Sequence, residues 1–223
     1  MNVSEAINTR ITTRAFLDKP VPGAVLRRIL ETAKRAPSGG NLQPWHVWAL
    51  AGEPMERFKA LIKEKLAVSP RGEGTEYHIY PPELKEPYKA RRFKCGEDMY
   101  ATINIPREDK FGRLVNFARN FEFFGAPVAF FFAIDRTMQQ GQWADLGMFM
   151  QSIMLLAREH GLHTCPQEAW AIWHKTLGEF LPIRLELMLF CGMGIGYMDE
   201  AHPINRLRTD RAELSEFATF IGV

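Results

Sequence analysis

Apolar residues recur at helical spacing over residues 23–36. There Val25, Ile29, Leu30, Ala33 and Ala36 share one face, and Arg27, Arg28, Glu31, Lys34 and Arg35 the other. The pattern predicts an amphipathic helix that stops at Pro37, because a residue before proline is pushed out of the helical region. Ser4 is placed as the cap of a short first helix over 5–8. Residues 45–51 read as a strand and 55–68 as another helix. The polar stretch 69–87, rich in proline and glycine, reads as a long excursion, followed by helical candidates at 88–100 and 109–121. Residues 128–134 form a nearly unbroken apolar run of strand length, which suits a central strand covered on both faces. The helix predicted over 145–160 is apolar around most of its circumference and so belongs at the centre of the fold or at a subunit interface. Gly161 is its expected C-terminal cap. A loop at 164–168, a helix at 169–180 and a buried strand at 185–191 complete the pattern. Helices alternating with separated strands point to a layered α/β or α+β architecture, with 1–223 as one domain.

Composition narrows the functional classes. The chain has 223 residues, 46% hydrophobic and 24% charged, enough to bury a sizeable core without disulfide staples. With 28 basic and 26 acidic side chains the net charge is +2, which provides no general electrostatic basis for nucleic-acid binding. Cys95, Cys165 and Cys191 form no CxxC pair, which argues for a reducing compartment and against structural zinc. The first residues carry no apolar signal region, and no apolar run is long enough to span a membrane. A cytoplasmic protein without membrane or nucleic-acid partners is the expectation. The 16 Phe, 10 Met and 5 Trp must be buried or used.

Two regions carry candidate chemistry. Pro37-Ser38-Gly39-Gly40-Asn41-Leu42-Gln43-Pro44 joins a helix end to a strand. It is either an ordinary turn or a polar edge along which a ligand can lie. Neither a P-loop nor a GxGxxG fingerprint occurs, and Gly192, Gly194 and Gly196 read as close-packing positions rather than a dinucleotide turn. Arg10 and Arg14 flank Thr12 and Thr13 near one end of the chain, and Arg206, Arg208 and Arg211 cluster near the other. Termini often lie close together in compact domains, so the two groups either serve one anionic ligand or remain separate solvated faces. The six histidines show no metal-ligand spacing, and no nucleophile motif is present. An enzyme lacking a dedicated acid–base set draws its reactivity from a cofactor.

Five blocks, taken in order, give these signals a common meaning. They are Arg10-Ile-Thr-Thr-Arg14-Ala-Phe16, residues 33–45 (AKRAPSGGNLQPW), residues 161–168 (GLHTCPQE), residues 192–197 (GMGIGY) and Arg208-Thr-Asp-Arg211. Together they cover nearly the whole chain, and the sequence resembles the flavin-dependent nitroreductase family. The resemblance implies an α+β fold with a mixed sheet flanked by helices. It also implies an intertwined homodimer holding FMN in clefts built by both subunits. Arg10 matches the family's phosphate-binding arginine and Thr12 a hydroxyl position near the flavin. Arg14 matches a basic position at the pyrimidine edge, where it would give electrostatic support to the reduced cofactor. Pro37, Ser38, Gly39, Asn41 and Gln43 match a loop contributed by the partner subunit. Pro166, Gln167, Glu168 and Ala169 match the segment facing the flavin N5 side, with Ala169 where the family usually has glycine. Arg208 and Arg211 match a C-terminal basic pair at the phosphate.

The same resemblance makes residues 70–124 a segment capping the substrate. Tyr88, Arg91, Arg92, Phe93, Phe117, Phe121, Phe123 and Phe124 are its candidate contacts. The implied activity is ping-pong hydride transfer from NAD(P)H through FMN to a nitroaromatic, quinone or similar small electron-poor aromatic. No metal is implied. The alternatives are reductive dehalogenation, enoyl reduction or flavin fragmentation on the same fold, or flavin storage without turnover.

Overall fold

The computed structural model describes residues 1–222. Its helices are α1 (Val3–Thr9), α2 (Gly23–Ala33), α3 (Gly52–Val68), α4 (Tyr88–Ala101), α5 (Lys110–Ala118), α6 (Gln140–Glu159) and α7 (His174–Phe180). Its strands are β1 (Trp45–Ala51), β2 (Val128–Asp135), β3 (His163–Gln167) and β4 (Leu187–Gly196), paired in the order β1-β2-β4-β3. The architecture is α+β, as expected. All three strand pairings are antiparallel, so the mixed character of the sheet is confined to one parallel bridge, Thr12 to Thr164.

β2 is central, and its alternation sorts the core. Val128, Phe130, Phe132 and Ile134 face α2 and α6, while Ala129 and Phe131 face α3 and Trp170. Each large side chain removed from water in this way contributes roughly 1.5–3 kcal/mol before entropy is counted. Between Phe132 and Ala133 the register to β4 shifts, so Phe190 is an extra residue in its strand. Such a bulge turns a side chain out of the regular alternation. Here Phe190 packs against Tyr77 and Trp143, and its carbonyl accepts the Tyr77 hydroxyl. The 69–87 excursion is thereby strapped onto the sheet. Glu73 reinforces the strap by accepting the Lys175 and Thr176 amides at 3.1 and 3.0 Å.

Several sequence expectations need correction. Asn2, not Ser4, caps α1 by accepting from the Glu5 amide at 2.8 Å. α2 ends at Ala33, and residues 34–36 form a turn before Pro37. α3 and α6 start earlier than the periodicity indicated, because polar first turns carry no apolar signal. The helix expected over 109–121 stops at Ala118 and tightens into a 3-10 segment, Arg119–Gly125. The loop expected at 164–168 is largely strand β3, disguised by Pro166 at the sheet edge. The helix expected at 169–180 is a 3-10 turn, Glu168–Trp173, followed by α7.

Strand β4 runs on through its three glycines because neighbouring groups occupy the space where side chains would stand. A Cβ on Gly192 would sit 2.4 Å from Trp170 Cδ1, and one on Gly196 would sit 2.6 Å from Pro127 Cδ. On Gly194 it would sit 3.2 Å from the carbonyl oxygen of Phe123, a residue in left-handed backbone at φ 51°. That unfavourable conformation is offset by the burial of the Phe123 ring, stacked on Trp170 at 4.5 Å. Gly192→Ala is therefore expected to lower unfolding free energy by roughly 1–3 kcal/mol through overpacking. Urea denaturation measures it, and an unchanged midpoint contradicts the packing described.

Candidate functional site

Two hollows flank the β3 edge. The first, of about 670 Å3, is lined by Arg10, Thr12 and Arg14 from the N-terminal segment, Arg208 and Arg211 from the C-terminal tail, Cys95 from α4 and Gln151 from α6. The two arginine groups of the sequence thus meet in one place. Arg206 does not line it. The Thr13 amide donates to the Thr164 carbonyl at 3.0 Å, tying the N-terminal segment to β3. Asn205, only 3% exposed, ties it to the tail. Its Oδ1 accepts the Arg14 amide at 2.8 Å, and its Nδ2 donates to the Ala15 and Asp199 carbonyls at 2.9 and 2.8 Å.

Among the described residues, Arg10, Arg14, Arg208 and Arg211 form no ion pair with a carboxylate. Arg208 and Arg211 curl back onto carbonyls of their own segment. Burial and the charge of Arg211 hold the Arg10 guanidinium below its ordinary range. Four unpaired cations around one concavity favour a bound anion, and forked donors beside a threonine hydroxyl suit a phosphate. Arg10 and Arg14 line the same hollow. The Arg14 charge also reaches the Cys165 thiol on β3, which burial nevertheless pushes up to about 12. That thiol stays protonated.

The second hollow, about 580 Å3, is lined by Pro166, Gln167, Glu168 and Ala169 with Tyr80, Phe117, Asn120, Met150, Met154 and Phe190, among others. Helix α6 lines both hollows, with Gln151 facing one and Gly147, Met150 and Met154 the other. The Gln167 side chain is buried, and its Nε2 donates to the Asn120 carbonyl at 2.8 Å and to Asn120 Oδ1 at 3.2 Å. It therefore couples β3 to the segment following α5. Burial raises the Glu168 carboxyl above its usual range.

Of the middle-segment candidates, Phe117 lines this hollow and the others do not. Phe121, Phe123 and Phe124 are buried core residues. Arg91 pairs with Glu216 at 2.8 Å, and Arg92 stacks over Tyr80. Phe93 and Arg92 border a separate concavity, and Tyr88 is exposed.

Pro37, Ser38, Gly39, Asn41 and Gln43 line neither hollow. Their loop stands on the first half of α6, where the Gly39 amide donates to Asp145 Oδ2 at 3.1 Å. Gly40, Asn41 and Gln43 are all left-handed, and Ser38 Oγ accepts the Gln43 amide at 3.0 Å. The loop is a shaped polar edge on the surface.

Sequence reasoning missed Asn205, Asn120, Gln151 and Cys95. No motif contains them, and a single buried asparagine has no periodic signature. It also missed His163. Arg158 Nη1 lies 2.7 Å from its Nε2, and since arginine only donates, that nitrogen accepts. Burial, Arg158 and Arg208 together hold the imidazole down to about 4.

Comparisons with known proteins agree with one another. The model of the Nitroreductase family matches residues 7–197. The chloronitrobenzene nitroreductase of Comamonas testosteroni is 36% identical, over 98% of this chain and 96% of its own. The 4-nitrobenzoate reductase of Pseudomonas putida is 36% identical, over 97% of this chain and 94% of its own. A crystal structure of the FMN and NADPH-dependent nitroreductase NfnB from sphigopyxis sp. strain HMH superposes with a TM-score of 0.96. It is 43% identical and covers 100% of both chains.

The depressed His163 value has a testable consequence. As pH falls below 6.5, the ordinary histidine value, the unfolded chain takes up a proton that folded His163 refuses. Its contribution to stability is thus lost between about pH 6.5 and 4, by roughly 2–3 kcal/mol. Denaturation across that range should show a shallower acid loss in His163→Gln than in the wild type. Equal slopes would contradict a neutral, buried His163.

Proposed function

The chain belongs to the nitroreductase family, and from that premise we propose that it is an FMN-dependent NAD(P)H oxidoreductase that reduces nitroaromatic compounds. The observation that carries this reading is the hollow of four unpaired guanidinia beside the Pro166–Ala169 backbone. The donor set fits FMN: Arg10, Arg208 and Arg211 would hold the phosphate, Thr12 would add a hydroxyl, and Arg14 would stand at the polar ring edge. Pro166, Gln167, Glu168 and Ala169 would face the ring. FMN supplies the redox chemistry, acting as a two-electron carrier between NAD(P)H and the nitro group.

The chain's own residues bind, orient and exclude water. Fixed cations at one end of the site stabilise negative charge where it develops. Met150, Met154 and Phe117 give the other hollow an apolar wall suited to a flat ring. In this reading residues 70–124 cap the substrate, through Tyr80 and Phe117 above all.

A homodimer completes the site. The polar edge formed by Pro37, Ser38, Gly39, Asn41 and Gln43 lines neither hollow of its own chain, which suits a loop that serves its partner's site. Apolar side chains on the same side remain exposed: Leu42 at 56% and Met148 at 41%. Burial of such residues is what a stable interface requires. Among the described residues no helix is long and apolar enough to cross a membrane. The cytoplasm is the compartment this reading favours, since it supplies the nicotinamide donor.

Two measurements test the proposal. With FMN bound, the protein should oxidise NADPH in step with loss of nitrobenzene, and NADPH oxidation without nitro loss would overturn it. Arg208→Ala should weaken FMN binding by about 1.5–3 kcal/mol, the worth of a charged hydrogen bond. That is roughly 10- to 150-fold in Kd by flavin fluorescence quenching. An unchanged Kd would remove Arg208 from the phosphate site.

A further inference from the structure

The two hollows differ sharply in charge. The hollow beside Pro166–Ala169 is lined by no lysine or arginine, and its one ionisable carboxyl is Glu168. Among the described residues Glu168 has no salt-bridge partner, and burial raises its carboxyl above the usual range. Burial foremost, and then the Glu168 charge, push the Tyr77 hydroxyl and the Cys191 thiol upward. The remaining polar side chains there are amides and a phenol. Asn120 is already engaged, since its Oδ1 accepts from Gln167 and its Nδ2 donates to the Phe117 carbonyl at 2.8 Å.

Of the middle-segment arginines, Arg91 is paired with Glu216 and Arg113 with Glu97, while Arg92 borders a different concavity and lies over the Tyr80 ring at 3.9 Å, although Tyr80 itself lines this hollow. The loop proposed to arrive from a second subunit, Pro37-Ser-Gly-Gly-Asn-Leu-Gln43, carries no charge at all. Completing the site with it would add amides and a hydroxyl, not a cation.

From these observations we infer that the substrate hollow selects electroneutral nitroaromatics and discriminates against carboxylated ones, with Glu168 as the specificity-determining residue. The inference rests on the nitroaromatic reading above and narrows it. A carboxylate entering this hollow would lose water, find no cation and meet an unpaired carboxyl, and specificity of this kind comes from the repulsive element as much as the attractive one. A neutral ring of the same shape loses nothing comparable and gains the apolar wall.

The test compares 4-nitrobenzoate with 4-nitrobenzamide, which have nearly the same shape and differ in charge, on the FMN-loaded enzyme. The amide should have a kcat/KM at least tenfold higher, with the difference lying mainly in KM. Benzamide should likewise compete for the site at concentrations at least tenfold below benzoate. Glu168→Gln should narrow both ratios, and Glu168→Asp should retain them. Equal efficiencies, or a preference for 4-nitrobenzoate, overturn the inference while leaving nitroreduction intact. Reduction of neither compound overturns the nitroaromatic reading itself. Ratios unchanged in Glu168→Gln remove Glu168 as the determinant.

Discussion

The hydrogen bonds of one buried amide, Asn205, hold the arginine-lined corner of this protein together. Its side chain accepts from the Arg14 amide and donates to the carbonyls of Ala15 and Asp199, all within 2.9 Å. The bonds to Arg14 and Ala15 join residues about 190 positions apart in the chain, the bond to Asp199 spans six, and each replaces water that burial has removed. Together with the backbone bonds of Asp199 to Ala15 and of Leu17 to Tyr197, they fix Arg10 and Arg14 relative to the segment that carries Arg208 and Arg211. Like charge opposes this convergence: burial first, and then the charge of Arg211, lower the Arg10 guanidinium. Uncharged hydrogen bonds must therefore supply the convergence, and an arriving anion then meets cations already in place. Preorganisation of this kind is the usual source of tight anion binding.

A second constraint comes from the β4 glycines. Trp170 occupies the space above Gly192, and the strained backbone at Phe123 approaches Gly194. This packing seats the 3-10 turn Glu168–Trp173 against the sheet and so fixes where Glu168 and Ala169 emerge from β3. On the same strand the bulge at Phe190 sends one aromatic ring toward the second hollow and holds Tyr77 of the long excursion. The sheet thus presents a cationic hollow and a cation-free hollow on either side of one short edge strand. That polarity matches a ligand with an anionic tail and a planar reactive end.

Much of this was legible in the sequence. The apolar run at 128–134 located β2 closely, since burial on both faces leaves a continuous pattern; β1 was placed at its observed bounds, and α6 was found except for its polar first turn. The glycines at 192, 194 and 196 were identified as packing positions, whereas the arginines at the two ends were left either at one site or on separate faces until the structure placed all but Arg206 in one hollow. Other features were hidden for physical reasons. Strand β3 contains Pro166 and polar residues because it lies at a sheet edge, so it read as a loop. Phe121, Phe123 and Phe124 looked like substrate contacts because a sequence does not reveal which face of an irregular 3-10 turn is buried. Asn205 and Asn120 act through single side-chain hydrogen bonds between distant segments, and no local pattern encodes such a bond. The loop at 37–43 was left as either an ordinary turn or a polar edge for a ligand, and that it lines neither hollow of its own chain is a property of the fold alone.

The central claim, that Asn205 assembles a phosphate-holding corner, is tested most directly by the ratio of riboflavin to FMN dissociation constants. The ratio is measured by titration in the wild type and in Asn205→Ala, with circular dichroism to confirm that the variant is folded. Two or more charged hydrogen bonds to phosphate predict a wild-type ratio on the order of 100 or more. In the folded variant the ratio should fall at least tenfold, chiefly through weaker FMN binding. A wild-type ratio near one, or a ratio unchanged in folded Asn205→Ala, would contradict the account.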